Sequence, residues 1–272
     1  MRIVIPPVKS EGSPRGLGYW LQYLNGCPKQ RALGGATSTA MDIGTLFHKL
    51  LELRYSGEIP GMDVALEYAE DNDAPAWLEA LRLFSGYHAH YGHDWFKDCV
   101  ETVEEELGLE GDKARVAFGV PEFTGRIDMA IRIKDQEMAD KIAAQRNLPM
   151  LEPGLYLVDH KTSSRKSSTL AMEAQYNMQF KAYQILWQHV KGETPKGMIG
   201  NYVFRHKKLK PESFGSVMCM PPTEEDFQAI KTALRNASMI KDTLGEDFAN
   251  PTQCFSWGRA CQFLDNGLCN RK

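Results

Sequence analysis

Apolar residues recur at helical spacing from residue 42 to 55, where Ile43, Leu46, Phe47, Leu50 and Leu53 form one stripe. Asp42 is placed to cap that helix and Gly57 to stop it. A second helical stretch runs over 74–97, and the acidic run from Glu101 to Glu106 predicts the solvated start of a first strand. Phe123 to Ile131 alternates apolar and polar as a second strand, and Leu155 to Lys161 is a short apolar run that opens into the polar Thr162-Ser163-Ser164. The polar segment 134–153 between them is too long for a tight hairpin; it predicts a short helix over 137–146 that could overhang an active site. A long helix is predicted over 169–191, capped by Ser168 or Thr169 and ended by Gly192. Tyr176, Phe180, Tyr183, Trp187 and Val190 line its one side, with Gln175 and Gln179 beside them. A strand at Asn201–Arg205 and a helix from Thr223 to Leu244, opened by a Thr223-x-x-Asp226 cap, complete the pattern. Helix, strands, helix, strand, helix is the order of an α/β protein with a mixed central sheet flanked by helices.

Composition narrows the class. The chain has 272 residues, 43% hydrophobic and 25% charged, which is globular and leaves room for one elaborated domain or two small ones. No apolar run approaches the roughly 20 residues that span a bilayer, and Met1 to Pro7 is too short for a signal sequence. A cytoplasmic protein without a membrane partner is expected. A formal net charge of -3 argues against a chain that coats nucleic acid nonspecifically, yet leaves two local basic tracks. One holds Arg165 and Lys166, the other Arg205, Lys207 and Lys208; each reads also as a solvated loop.

The chemistry gathers on the run ending Asp159-His160-Lys161. Side chains alternate along a strand, so Asp159 and Lys161 share a face, about 7 Å apart along the backbone, while His160 points to the other. A carboxylate that can hold a hard divalent cation beside an ammonium that can stabilise developing charge suits phosphodiester hydrolysis. An isolated D-x-K is more often a strand-end ion pair, so the companions decide. Asp128 stands mid-strand, where a carboxylate without a partner would be costly to bury. His48 lies at the edge of the first helical stripe, and Gln179 and Tyr183, four apart, share one helix face.

The order G-x-x-x-H-x-x-L-E (Gly44 to Glu52), G-R-x-D (Gly125 to Asp128), D-x-K-T (Asp159 to Thr162) and Q-x-x-x-Y (Gln179 to Tyr183) resembles the RecB-like branch of the PD-(D/E)XK nuclease superfamily. That branch holds the AddB nucleases, the CRISPR-associated iron-sulfur exonucleases and related phage exonucleases. The resemblance runs from Cys27 to Cys269. It implies a restriction-endonuclease-like core over about 40–215 within a single domain, 1–272. It also implies Mg²⁺ or Mn²⁺ held by His48, Asp128, Asp159 and the main-chain carbonyl of His160. Lys161 would be catalytic, with Gln179 and Tyr183 in support. The second acid is Asp where many relatives have Glu, which shortens its reach. The implied function is a metal-dependent DNA nuclease, acting as an exonuclease on single-strand or duplex ends in recombination, repair or phage DNA processing. A recombinase or helicase comes into view as partner, in a bacterial or phage-infected cell. The alternative is a non-catalytic DNA-binding or recombination-accessory protein that keeps the fold. On either reading His88, His90 and His93, which lack an H-E-x-x-H pattern, are expected at the surface or facing DNA.

Of six cysteines, Cys254, Cys261 and Cys269 crowd the end of the chain with gaps of six and seven residues, and Cys27 precedes Pro28. In a cytoplasmic enzyme such a cluster binds metal more readily than it forms disulfides. By the same resemblance these four hold a 4Fe-4S cluster that staples the segments near 20–30 and 250–272; a structural zinc site is the alternative. Cys99 and Cys219, among apolar neighbours, are expected in the core.

Overall fold

The computed structural model describes residues 15–26, 39–57 and 74–245. They form two compact units, one of residues 39–57, 74–107 and 126–222, the other of residues 15–26, 108–125 and 223–245. In the first, α2 (Thr39–Ser56) and α3 (Ala74–Tyr91) pack against each other. The sheet consists of β1 (Val100–Glu110), β2 (Glu122–Ile133), β3 (Gly154–Ser163), β4 (Gly197–Phe204) and β5 (Phe214–Cys219), in the spatial order of the sequence. β2 and β3 run antiparallel, β3 and β4 parallel, and β4 and β5 antiparallel, which makes the sheet mixed, as the sequence predicts. The parallel step requires a crossover, and α6 (Leu170–Gln175) and α7 (Met178–Lys191) supply it.

Period-2 burial sets the layers. Met129, Ile131 and Ile133 of β2 and Tyr156 and Val158 of β3 join Phe47, Leu50 and Leu51 of α2 and Leu83 and Tyr87 of α3 in one core. α5 (Gln136–Arg146) adds Ala139 and Ile142 to it, so this helix packs into the core instead of overhanging an active site. At full burial each such aliphatic side chain contributes about 1.5–3 kcal/mol.

Local chemistry shifts several boundaries from those the pattern predicts. α2 starts three residues before Asp42, which lies in its first turn, where a carboxylate suits the helix dipole. Gly57, with φ of +80°, stops the helix as expected. α3 ends at Tyr91, so His93 lies beyond it; His88, His90 and His93 are all exposed. The predicted 169–191 helix is two helices, because Asn177 caps the second: its side chain accepts from the N–H groups of Gln179 and Phe180, at 2.9 and 3.2 Å. Tyr176 therefore leaves the buried stripe and is 78% exposed. β4 begins at Gly197, four residues before the expected start, and β5 has no counterpart among the predicted elements.

In the second unit, α1 (Leu17–Asn25), α4 (Gly111–Phe118) and α8 (Glu224–Leu244) pack together. The Thr223/Asp226 capping box opens α8 as predicted. Trp20 Nε1 donates to the Glu122 carbonyl at 3.1 Å, and Phe118 stacks on Phe123 with centroids 3.9 Å apart.

Candidate metal centre

The ladder between β2 and β3 ends its paired residues at Met129 and Val158. One residue further on each strand stand Asp128 and Asp159. The main-chain N–H of His160 donates to Asp128 Oδ2 at 2.7 Å, and His48 Nδ1 of α2 lies 3.3 Å from the same oxygen. α2 comes close to β3 at Gly44, where an added Cβ would lie 3.3 Å from Thr162 Oγ1. Two of the sequence motifs thus meet in one helix–strand contact. Lys161 Nζ lies 3.0 and 2.8 Å from the two oxygens of Asp159 and donates to Gln179 Oε1 at 3.3 Å. Gln179 Nε2 passes the chain on to Tyr183 Oη at 3.0 Å. His48, Asp128, Asp159, Lys161, Gln179 and Tyr183 are therefore brought to one place.

Burial controls the charges. Asp159 is 3% exposed; its desolvation, aided by the nearby Asp128 carboxylate and opposed by Lys161, pushes its pKa up to about 6. Burial alone would pull the Lys161 ammonium down, but Asp159 and Asp128 outweigh it and hold Lys161 above the usual lysine range. The Lys161 side chain keeps 31% of its exposure and the Asp159 side chain 4%, so the cost of burial falls more heavily on the carboxylate. The His160 ring, on the opposite face, is buried and its pKa is pulled down to about 3, so it is neutral.

One carboxylate escapes sequence reasoning. Within the acidic run read as a solvated edge, Glu104 has a left-handed backbone (φ +52°) and a side chain only 21% exposed. Burial, then repulsion from Asp128 and Glu52, pushes its pKa up to about 8, with Arg126 Nη1 3.7 Å away as a partial counter-charge. Nothing in the run Glu104-Glu105-Glu106 distinguishes the first glutamate from the others before strand pairing is known.

The parallel register pairs Ser163 with Phe204, and the Arg205 N–H donates to the Ser163 carbonyl at 2.7 Å. The two basic tracks accordingly leave from the same end of adjacent strands, the end that carries Lys161. Arg165, Lys166, Lys207 and Lys208 are exposed and Arg205 is half-buried. Cys99 and Cys219 are buried in the core, as expected. Cys27, Cys254, Cys261 and Cys269 lie outside the described residues.

Among the described residues, no three His, Cys, Asp or Glu side chains converge on one point that would hold an ion. The carboxylates are engaged instead by Lys161, His48 and the His160 N–H. The donor set still fits a hard divalent cation. It offers two carboxylates and an imidazole, and Asp159 Oδ2 is buried with the Lys161 ammonium 2.8 Å away but no well-aligned hydrogen bond among the described residues. Lys161 offsets part of the cost of burying that carboxylate, and a cation would offset more of it.

No curated protein matches the sequence. Among solved structures, a crystal structure of SSO0001 aligns with 16% identity and a TM-score of 0.35, covering 83% of this chain and 88% of the other, a likeness too distant to bear on function. The family model of the PD-(D/E)XK nuclease superfamily, whose members use divalent metals such as Mg²⁺ or Mn²⁺, matches residues 16–143 and 149–266. With the two acids and the lysine gathered at the end of the β2–β3 ladder, the chain belongs to the PD-(D/E)XK nuclease superfamily.

Proposed function

We propose that this chain is a Mg²⁺- or Mn²⁺-dependent deoxyribonuclease that degrades DNA from its ends. The observation that carries the reading is the juxtaposition of Asp128 with a buried Asp159 that is ion-paired to Lys161. Such a buried charged set costs stability, and a function at the site is a reason to keep it. His48, Asp128, Asp159 and the His160 carbonyl would hold the cation. When bound, it supplies Lewis acidity at the scissile phosphate and a more acidic water. Lys161, released from Asp159, stabilises the charge that builds on the phosphate oxygens. Gln179, backed by Tyr183, keeps the ammonium aimed at the site through its 3.3 Å contact. Arg165, Lys166, Arg205, Lys207 and Lys208 take the DNA backbone.

A cytoplasmic location is the expectation from the hydropathy of the sequence; action on ends, a recombination or repair setting and a recombinase or helicase partner rest on the motif order shared with the RecB-like branch. So do a single domain spanning the chain and a 4Fe-4S cluster on Cys27, Cys254, Cys261 and Cys269, with zinc as the rival metal. The deciding experiment incubates the full chain with Mn²⁺ and four substrates: end-labelled and circular DNA, single- and double-stranded. Cleavage of the linear forms with the circles intact is expected. Cutting of circles overturns the exonuclease assignment. Inactivity on all four, with DNA still bound, overturns the enzyme in favour of an accessory protein.

A further inference from the structure

Behind the metal centre, on the opposite face of β3, lies a polar cluster that the proposed chemistry does not use. Arg146, at the end of α5, is buried with a 0% exposed side chain. Its Nη2 pairs with Asp94, also 0% exposed, and its Nη1 donates to Tyr87 Oη at 2.8 Å and to Asn201 Oδ1 at 3.2 Å. Asn201 is paired with His160 on the β3–β4 ladder, and Asn201 Nδ2 stands 2.9 Å from His160 Nδ1 and 3.0 Å from Tyr87 Oη.

These contacts leave no freedom of assignment. A guanidinium only donates, so the atom of Asn201 facing Arg146 must be the carbonyl oxygen. That oxygen also accepts from Ser216 Oγ at 3.4 Å, so the amide NH₂ is turned toward His160. His160 Nδ1 must then accept, and the ring proton sits on Nε2. Tyr55 stacks on the same ring, 5.6 Å between centroids and 6° between planes, and its hydroxyl donates to Asp94 at 2.7 Å. The ring is fixed in rotation, tilt and tautomer.

The buried ion pair is weak evidence that the arrangement serves stability alone. A buried ion pair is often matched or bettered by apolar residues of the same volume. The cluster also leaves Arg146 Nε and His160 Nε2 buried without a hydrogen-bond partner among the described residues. The output lies on the other side of the strand, where the His160 N–H holds Asp128 at 2.7 Å. We infer that Arg146 and Asn201 are positioning residues for the metal centre: by locking the His160 ring from behind, they fix the His160 main chain, and through it the Asp128 carboxylate, in the geometry a cation requires. This rests on the metal-dependent reading proposed above.

The test uses Mn²⁺ alone as probe, titrated calorimetrically into the full-length protein, so that no activity is needed. Asn201→Asp keeps the volume and the Arg146 partner but removes both N–H donors, which forces the His160 ring to the other tautomer. A loss of about 10- to 100-fold in Mn²⁺ affinity is expected, the usual size of an outer-shell effect. Imidazole ¹⁵N shifts should move at the same time from the Nε2–H to the Nδ1–H pattern. Ile142→Val, a core change on the same helix as Arg146, should lower the melting temperature and leave Mn²⁺ affinity within about twofold. Unchanged affinity in Asn201→Asp, or an equal loss in Ile142→Val, overturns the inference. Should Asn201→Asp not fold, the wild-type ¹⁵N spectrum decides: an Nδ1–H or doubly protonated His160 ring near neutral pH overturns it. Failure of the metal reading is recognised separately, because wild type and Asp159→Ala would then bind Mn²⁺ equally.

Discussion

His160 holds Asp128 through its backbone, and the bond crosses from β3 to β2 just past the point where the ladder's paired residues end. A carboxylate gripped by a main-chain N–H cannot swing away when its neighbour is removed, which makes single substitutions at the site interpretable.

Asp128→Ala and Asp159→Ala should each lower Mn²⁺-dependent cleavage by at least about 10³-fold, since both the cation and one preorganised charge are lost. Circular dichroism should remain that of the wild type. Retained activity in Asp159→Ala with the fold intact would remove Asp159 from the mechanism.

Lys161→Met should separate binding from turnover. On the proposed mechanism Lys161 stabilises charge and does not ligate, so kcat should drop about 10²-fold or more while Mn²⁺ and DNA affinities stay close to wild type. A variant that cleaves at the native rate shows that the ion pair with Asp159 is structural.

The pH dependence of stability carries a sign. Glu104 in the folded protein binds its proton more tightly than an unfolded glutamate, because burial and then Asp128 and Glu52 push its pKa up to about 8. Between the ordinary glutamate value and about 8, folding takes up a proton, so this group's contribution weakens stability as pH rises. Asp159 acts in the same direction up to about 6. Glu104→Gln should therefore flatten the fall in metal-free stability between about pH 6 and 8, read by urea melts of both proteins. Parallel curves would mean that Glu104 is ionised and paired at neutral pH.

Neutralising Arg165 and Lys166 together should reduce the slope of log K against log salt for duplex binding by about 1.8, near 0.9 for each phosphate that the loop no longer neutralises. An unchanged slope returns that loop to solvent.

Gly200, opposite Asp159 on the β3–β4 ladder, faces Tyr202 and the Phe180 ring. A Cβ there would come within 2.8 Å of Tyr202 and 3.0 Å of Phe180. Gly200→Ala should destabilise by about 1–3 kcal/mol, with the larger part of any activity loss recovered at lower temperature. A chemical-denaturation midpoint equal to wild type would show that the aromatic rings yield freely.

The site is legible in the sequence because its members sit on strongly periodic elements. Asp159, Lys161 and His160 take their faces from strand alternation alone, and Gln179 and Tyr183 share a helix face by their spacing. Residues defined by a tertiary partner are not legible. Glu104 differs from Glu105 and Glu106 only through what it faces, and Arg146 reads as the basic end of an exposed helix until Asp94 is seen beside it. The break at Asn177 is hidden because the apolar stripe runs through it, and a single cap outweighs the stripe. α1, α4 and β5 carry too short a pattern to be distinguished from loop.

The Met129–Val158 register also sets which lengths of chain the protein can lose or gain. Because successive residues alternate faces, deleting one residue from β3 before Asp159 would turn Asp159 and Lys161 into the core and present His160 to the phosphate. Residues added between Arg146 and Gly154 leave the strand phase untouched. Natural length variation in proteins built on this plan should accordingly collect in the connection after α5 and avoid the ten residues of β3.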